Sequence, residues 1–393
     1  MPTQRLDTRT LWTLLGGNAL TMIGIGFFLP ILPLFITARG GAPVLVGLVF
    51  AAGVVGRAAA QYPAGWLADT LGRKPVIIGA LLCYGLIFPL YLVPVAPGWF
   101  VGLRLVHAMT AGAYLPAATA MIADLTGPAK GRAFGQLRAS DMVGLLLGPA
   151  VGGLVAGVRL DAVFLLGSAL CLAATGIMLL LPSTRGRDGQ AERVPLRPLR
   201  VLLAMGPVIA IGVPLQWTIG TYDTVWSLYI TSRGGSPLAV GLSFASYALP
   251  IVVLGGLAGS LADRLGHLRT AAGSVLAFAG FASLYPFLSS VPLLIGLGVL
   301  EGALTVASGP ALLAAVSRIA PPGAQGRTQG MFQSASYAAE VLGAITAGGL
   351  YGVRPGFAFW AASLVAVVGV STGLGWGRLQ TRAELRRRAS GQP

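Results

Sequence analysis

The chain has 393 residues, of which 55% are hydrophobic and only 10% charged, and its mean hydropathy is +0.79. Soluble domains carry charge on about a quarter of their residues, so this composition excludes a soluble enzyme or binding module and calls for burial in lipid. The net charge of +15 does not point to nucleic acid, because the basic residues gather between apolar runs rather than in one patch.

A helix crosses a bilayer in roughly 20 apolar residues, and twelve such runs follow one another at 11–37, 44–66, 75–93, 98–124, 132–157, 162–182, 201–231, 238–262, 270–290, 292–317, 328–352 and 356–377. Nothing alternates in the manner of barrel strands. The expected fold is an all-α polytopic membrane protein with twelve transmembrane helices. With the amino terminus in the cytoplasm, twenty Lys and Arg fall on that side, four outside (Arg39, Arg159, Arg233, Arg354) and three within spans. The positive-inside rule then sets both termini in the cytoplasm, and the basic tail Arg386-Arg387-Arg388 is expected to meet anionic lipid. The first run is too long for a signal peptide, so it is kept as a span. Most of the Trp residues, including Trp12, Trp66 and Trp376, lie near span ends as an aromatic belt does.

Within the first six spans, the loop after the second reads Gly65-Trp66-Leu67-Ala68-Asp69-Thr70-Leu71-Gly72-Arg73-Lys74. Gly72 suits the turn, Asp69 is placed to pair with a basic group or a helix amino terminus, and Arg73 and Lys74 hold the cytoplasmic face. The interior basic residues are Arg57, Arg104 and Arg138. The fourth span adds His107, which either titrates near neutral pH or serves as a satisfied structural group. The fifth carries Gly144, Gly148, Pro149, Gly152 and Gly153, small residues that admit a facing helix closely. Arg138 and Asp141, three residues apart, are expected to neutralise one another.

Residues 183–200 form a polar linker, and beyond it the first half recurs. Ile36-Thr37, Arg39-Gly40-Gly41 and Pro43 return 194 residues later as Ile230-Thr231, Arg233-Gly234-Gly235 and Pro237, and the loop returns, thinned, with Asp263 and Gly266. A repeat of this length fixes the organisation: a six-helix bundle at 1–182, the linker at 183–200, a second bundle at 201–378 and a basic tail at 379–393. Six spans per half make the repeats parallel, related by an axis along the membrane normal. In the second half Gln216, Trp217, Gly220, Tyr222, Asp223 and Ser227 recur along the seventh span, Glu301 marks the tenth, and Gln333, Tyr337 and Glu340 mark the eleventh. Polar stripes avoid lipid, so these line a central cavity or seal against each other. Asp223, Glu301 and Glu340 are either proton or cation sites or partners of Arg57 and Arg104. Spans 3, 6, 9 and 12 hold no charge and are expected as outer supports. Pro30, Pro33, Pro207 and Pro214 are expected to break spans 1 and 7.

The Gly65–Lys74 loop, its copy at Gly259–Gly266 and the duplicated six-span halves resemble the major facilitator superfamily over essentially the whole chain. The resemblance implies that the loop latches the halves in one conformation. The Gly144–Gly153 pattern is similar to the motif of that superfamily's proton-coupled exporters. Arg104 with Gly112 and Pro116 resembles its helix-4 Arg motif, although His107 and Ala108 stand where Gln-Gly is usual.

These readings predict a secondary active transporter of the cell membrane, with a proton gradient driving efflux of a small amphipathic organic molecule and no cofactor. A facilitator or symporter for sugars or organic acids, with Arg57 and Arg104 binding an anion, is the alternative. A membrane enzyme or receptor is disfavoured, because the sequence shows no metal-ligand cluster, nucleophile–base pair or nucleotide loop. The expected partners are a small-molecule substrate and the lipid bilayer, with no nucleic acid, and the expected state is a monomer.

Overall fold

The computed structural model describes residues 8–93, 95–126, 130–182, 198–321 and 324–389. Its helices are α1 (Thr8–Phe28), α2 (Leu32–Ala38), α3 (Pro43–Leu71), α4 (Arg73–Ile87), α5 (Trp99–Thr126), α6 (Lys130–Val158), α7 (Ala162–Met178), α8 (Pro198–Ala204), α9 (Gly206–Ser232), α10 (Pro237–Leu265), α11 (His267–Leu284), α12 (Val291–Thr305), α13 (Ser308–Ile319), α14 (Gln325–Val353) and α15 (Pro355–Ala389). They overlap every expected apolar run, and the described residues contain no strand. Most of the expected linker, 183–197, lies outside the described residues. So do the last residues of the tail, although α15 runs well past the expected end of its span.

Among the described residues, nine helical stretches are long and apolar enough to cross a membrane, and α7 is a shorter apolar helix. The two expected spans that miss this apolarity are α9 and α14, the helices with the densest polar stripes. Their polar groups are spared lipid because the two helices pack on one another and α9 is buried along most of its length.

Helix breaks follow proline, but selectively. The first span divides at Leu29–Ile31, where Pro30 cannot donate and Pro33 opens α2; the seventh divides at Met205, before Pro207. Pro214 corrects the expectation: it stays inside an unbroken α9. An unexpected break separates α12 from α13 at Val306–Ala307, with Pro310 in the first turn of α13. Its repeat mate Pro116 sits inside a continuous α5.

The repeat is written in the backbone as well. Among the described residues, those with positive φ are Gly40 (84°), Gly72 (96°), Gly234 (81°) and Gly266 (89°), two pairs each 194 apart, all in a conformation that L side chains rarely adopt. Gly72 ends α3 and starts α4, and Gly266 does the same between α10 and α11.

One apolar core lies wholly in the first half, around Leu14, Ile77 and Met121. Another lies wholly in the second, around Ile211, Val275 and Leu312. A third, rich in aromatic residues, draws on both. The extensive contacts between halves are made by α6 with α10, α3 with α14, and α9 with α2 and α3. α4, α7, α11 and α15 pack against helices of their own half. These are spans 3, 6, 9 and 12, the uncharged ones.

Candidate functional site

The glycines of α6 divide between two faces. Gly144, Gly148 and Gly152, four residues apart, face α1: a Cβ on Gly148 would stand 2.8 Å from Gly26 Cα. Gly153 faces the other half, where a Cβ would stand 2.5 Å from the Pro237 carbonyl and 3.0 Å from Gly241 Cα; Pro149 shares this face, its carbonyl against Gly241. The second half repeats the plan without the proline. Gly343 lies on Trp217 of α9, and a Cβ on Gly348 would meet the Pro43 carbonyl at 2.6 Å and Gly47 Cα at 3.1 Å. The halves therefore touch backbone to backbone at two equivalent crossings, and only residues without side chains permit it. Both crossings lie at the helix ends remote from Gly72 and Gly266. Ser227 Oγ adds a bond across the same region, donating to the Pro30 carbonyl at 2.6 Å, an acceptor in the break between α1 and α2.

Along α3 and α14 the seam turns polar. Arg57 Nη2 donates to Glu340 Oε1 at 2.6 Å, and Gln61 Nε2 to Tyr337 Oη at 2.6 Å. The Arg57 guanidinium also stands over the Tyr337 ring, 5.9 Å from its centroid. Glu340 is buried, whereas 40% of the Arg57 side chain remains exposed. Half-buried Asp223 lies within electrostatic reach of Glu340, Arg57 and Arg104. Of the two expected roles for Glu340, pairing with Arg57 is the one realised in this conformation.

His107 and Glu301 hold equivalent positions in the two halves, and each faces a tyrosine from the short 3-10 helix after α4 (Phe88–Leu92) or α11 (Tyr285–Phe287). His107 is fully buried, its Nδ1 3.3 Å from Tyr91 Oη and its Nε2 3.1 Å from the Tyr84 carbonyl. Phe28, Tyr84, Phe88 and Tyr91 enclose its ring. Arg104, one turn before it, lies beside the Tyr84 and Tyr91 hydroxyls and over the Phe28 ring at 5.5 Å. In the second half Tyr285 Oη donates to Glu301 Oε2 at 2.5 Å. The Tyr222 hydroxyl lies beside the same carboxyl, which is buried. The Tyr222 hydroxyl can donate to an ionised Glu301, and a protonated Glu301 can donate to Tyr222, so the pair can be satisfied in either state.

The loops carry matching ion pairs. Arg73 pairs with Asp69 four residues before it, and His267 Nε2 lies 3.6 Å from Asp263 Oδ1 in the same relation. The second pair is charged only when the histidine is protonated. Lys74 Nζ donates to the Leu179 carbonyl at the end of α7. In this conformation the contacts of Asp69 and Lys74 stay within the first half.

The sequence profile of the Major Facilitator Superfamily matches residues 14–227 and 210–392. The chain belongs to the major facilitator superfamily. It is a multi-pass membrane transporter and not an enzyme. It is 26% identical over 396 residues to Multidrug resistance protein 2 of Bacillus subtilis (strain 168), covering 94% of this chain and 96% of that protein. It is 29% identical over 350 residues to the multi-drug resistance efflux pump PmrA of Streptococcus pneumoniae (serotype 4), covering 83% and 85%. Its fold is similar to the crystal structure of the nucleoside transporter NupG, with TM-score 0.74, 16% identity and 94% and 98% coverage.

Two further clusters complete this superfamily member's interior. A cavity of about 160 Å³ between α9, α13 and α14 is lined by Gln216, Gln333, Phe332 and Ser336. The other cluster was missed from sequence. Asn18 donates to Ser140 Oγ at 2.7 Å and Asp141 Oδ1 at 2.8 Å, and accepts from Tyr114 Oη at 2.7 Å. Asp141 also takes its expected partner Arg138 at 3.3 Å. The signal was present: Asn18 is the lone amide in an apolar first span. Tyr222, by contrast, stacks among Trp226, Tyr285 and Phe359 in the aromatic core rather than facing open space.

Proposed function

We propose that this transporter uses the proton gradient to export small amphipathic organic compounds, with all twelve runs spanning the cell membrane and both termini in the cytoplasm. The observation that carries the proposal is Glu301: a buried carboxyl between the Tyr285 and Tyr222 hydroxyls, with no cation paired to it among the described residues. The names of the two relatives, a multidrug resistance protein and a multidrug efflux pump, support export of drug-like molecules. On this topology the glycine crossings lie at the outer side, so the conformation described here is closed outward. Substrate enters from the cytoplasmic side. Protonation of Glu301 and release of the Arg57–Glu340 pair then accompany the switch of access, and the transporter works as a monomer. Capture of an organic acid by Arg57 is disfavoured, because Glu340 already holds that guanidinium.

Cells making the protein test this reading when challenged with a panel of lipophilic cations and zwitterions. They should tolerate several compounds better than control cells, and an uncoupler should abolish the difference. Protection that persists with the gradient collapsed would exclude proton drive.

A further inference from the structure

One cavity of the molecule lies away from the seam between halves. It measures about 1210 Å³ and is lined only by residues of the second half, from the start of α9, the α10–α11 turn, the end of α13 and the end of α15. Its walls are mainly apolar, including Val208, Ile319 and Leu374, and four arginines enter its lining: Arg269, Arg318, Arg378 and Arg382. All four are exposed, and none forms an ion pair among the described residues. The nearest carboxylate of the turn, Asp263, faces His267 instead. Gln380 Nε2 fastens the rim by donating to the Leu203 carbonyl at 3.0 Å.

We infer that this cavity is a binding site for an anionic phospholipid of the cytoplasmic leaflet. Four guanidiniums from three separate elements line one cavity with no counter-charge among the described residues, and guanidinium forks match phosphate oxygens. Apolar walls behind them suit glycerol and the upper acyl chains, whereas a free phosphate would leave most of the cavity unfilled. The opening lies at the helix ends shared with Gly266, on the side where the chain concentrates its basic residues. Basic recesses between helices on that face bind anionic headgroups, and each Lys or Arg near such a surface contributes about 1 kcal/mol. The site lies outside the seam, so its occupant would brace α9, α11, α13 and α15 without blocking the transport path. The inference rests on the topology proposed above, but its test reads lipid binding rather than transport, so either can fail alone.

Native mass spectrometry of the purified, delipidated full chain, titrated with phosphatidylglycerol or phosphatidylethanolamine, tests the site. Wild type should retain phosphatidylglycerol preferentially, and millimolar inorganic phosphate should not displace it. Arg318→Gln with Arg378→Gln should weaken phosphatidylglycerol binding about 30-fold at that value per charge, while Arg39→Gln with Arg354→Gln, an equal charge loss at the opposite end, should not. Should the first pair fail to fold, the wild type still decides: binding must fall as salt shortens the screening length. Equal binding by the two double variants, salt-independent binding, or full displacement by inorganic phosphate would each overturn the assignment.

Discussion

Arg57 and Glu340, 283 residues apart in sequence, meet at 2.6 Å between α3 and α14. They join the two halves on the flank where Gly47 and Gly348 let the same helices touch. A charge pair beside a side-chain-free crossing suits a joint that must close tightly and open again, because the pair orients the contact while the glycines remove the steric barrier. Breaking the pair leaves Glu340 buried and uncompensated. A double-mutant cycle of Arg57→Gln and Glu340→Gln should give a coupling of about 1–2 kcal/mol in thermal unfolding of the detergent-solubilised protein. The exchange Arg57→Glu with Glu340→Arg should recover part of it. Additive single effects would mean that the contact does not hold the halves.

Gly153 predicts a steric outcome. Valine there would drive its Cβ against the Pro237 carbonyl and Gly241 Cα, at 2.5 Å and 3.0 Å, before its two methyl groups are counted. Overpacking of this kind costs about 1–3 kcal/mol, enough to shift a two-state balance roughly tenfold. Gly153→Val should remain folded and lose about tenfold in transport, with a cysteine introduced at the outer side becoming more accessible to a membrane-impermeant thiol reagent. Gly157→Ala, where nothing lies within 4 Å, is the matched control and should transport normally.

Glu301→Gln keeps an acceptor for Tyr285 and removes the exchangeable proton. Flux driven by a pH gradient should fall about tenfold or more, while substrate binding measured without a gradient stays near wild type. Tyr222→Phe removes the hydroxyl beside Glu301, and should shift the pH profile of flux rather than abolish it. Wild-type pH dependence in both variants would discharge Glu301 from coupling.

Asp69→Asn separates a latch from a merely stabilising loop. Its side chain is 66% exposed, and exposed pairs contribute about 1 kcal/mol or less, so the melting temperature should hardly move. Transport should nevertheless slow severely on the latch role that the resemblance implies for this loop. Normal rates in Asp69→Asn would leave the loop a structural turn only.

How far the sequence reached is visible residue by residue. The duplication was legible because backbone geometry demands glycine: Gly72 and Gly266 take the same positive φ in the same turn. The glycine pattern of α6 was legible as packing, and its four-residue spacing held the further fact that two faces exist. Which neighbour each face meets was not, since that depends on how α1, α6 and α10 are arranged in space. For the same reason the stripe on α14 showed that Glu340 avoids lipid but not that its partner is Arg57. Local sequence was also insufficient at Pro310, which stands at a break while its mate Pro116 does not. His267 could have been found as the counterpart of Arg73, had the loops been aligned side chain by side chain.

The central claim, that a proton gradient drives export through this fold, is tested most directly in proteoliposomes loaded at one pH and diluted into another. The quantity to measure is movement of a fluorescent lipophilic cation. The account predicts accumulation that follows the direction and size of the imposed gradient, disappears with an uncoupler and is lost in Glu301→Gln. Transport at an unchanged rate with no gradient, or with the uncoupler present, would contradict it.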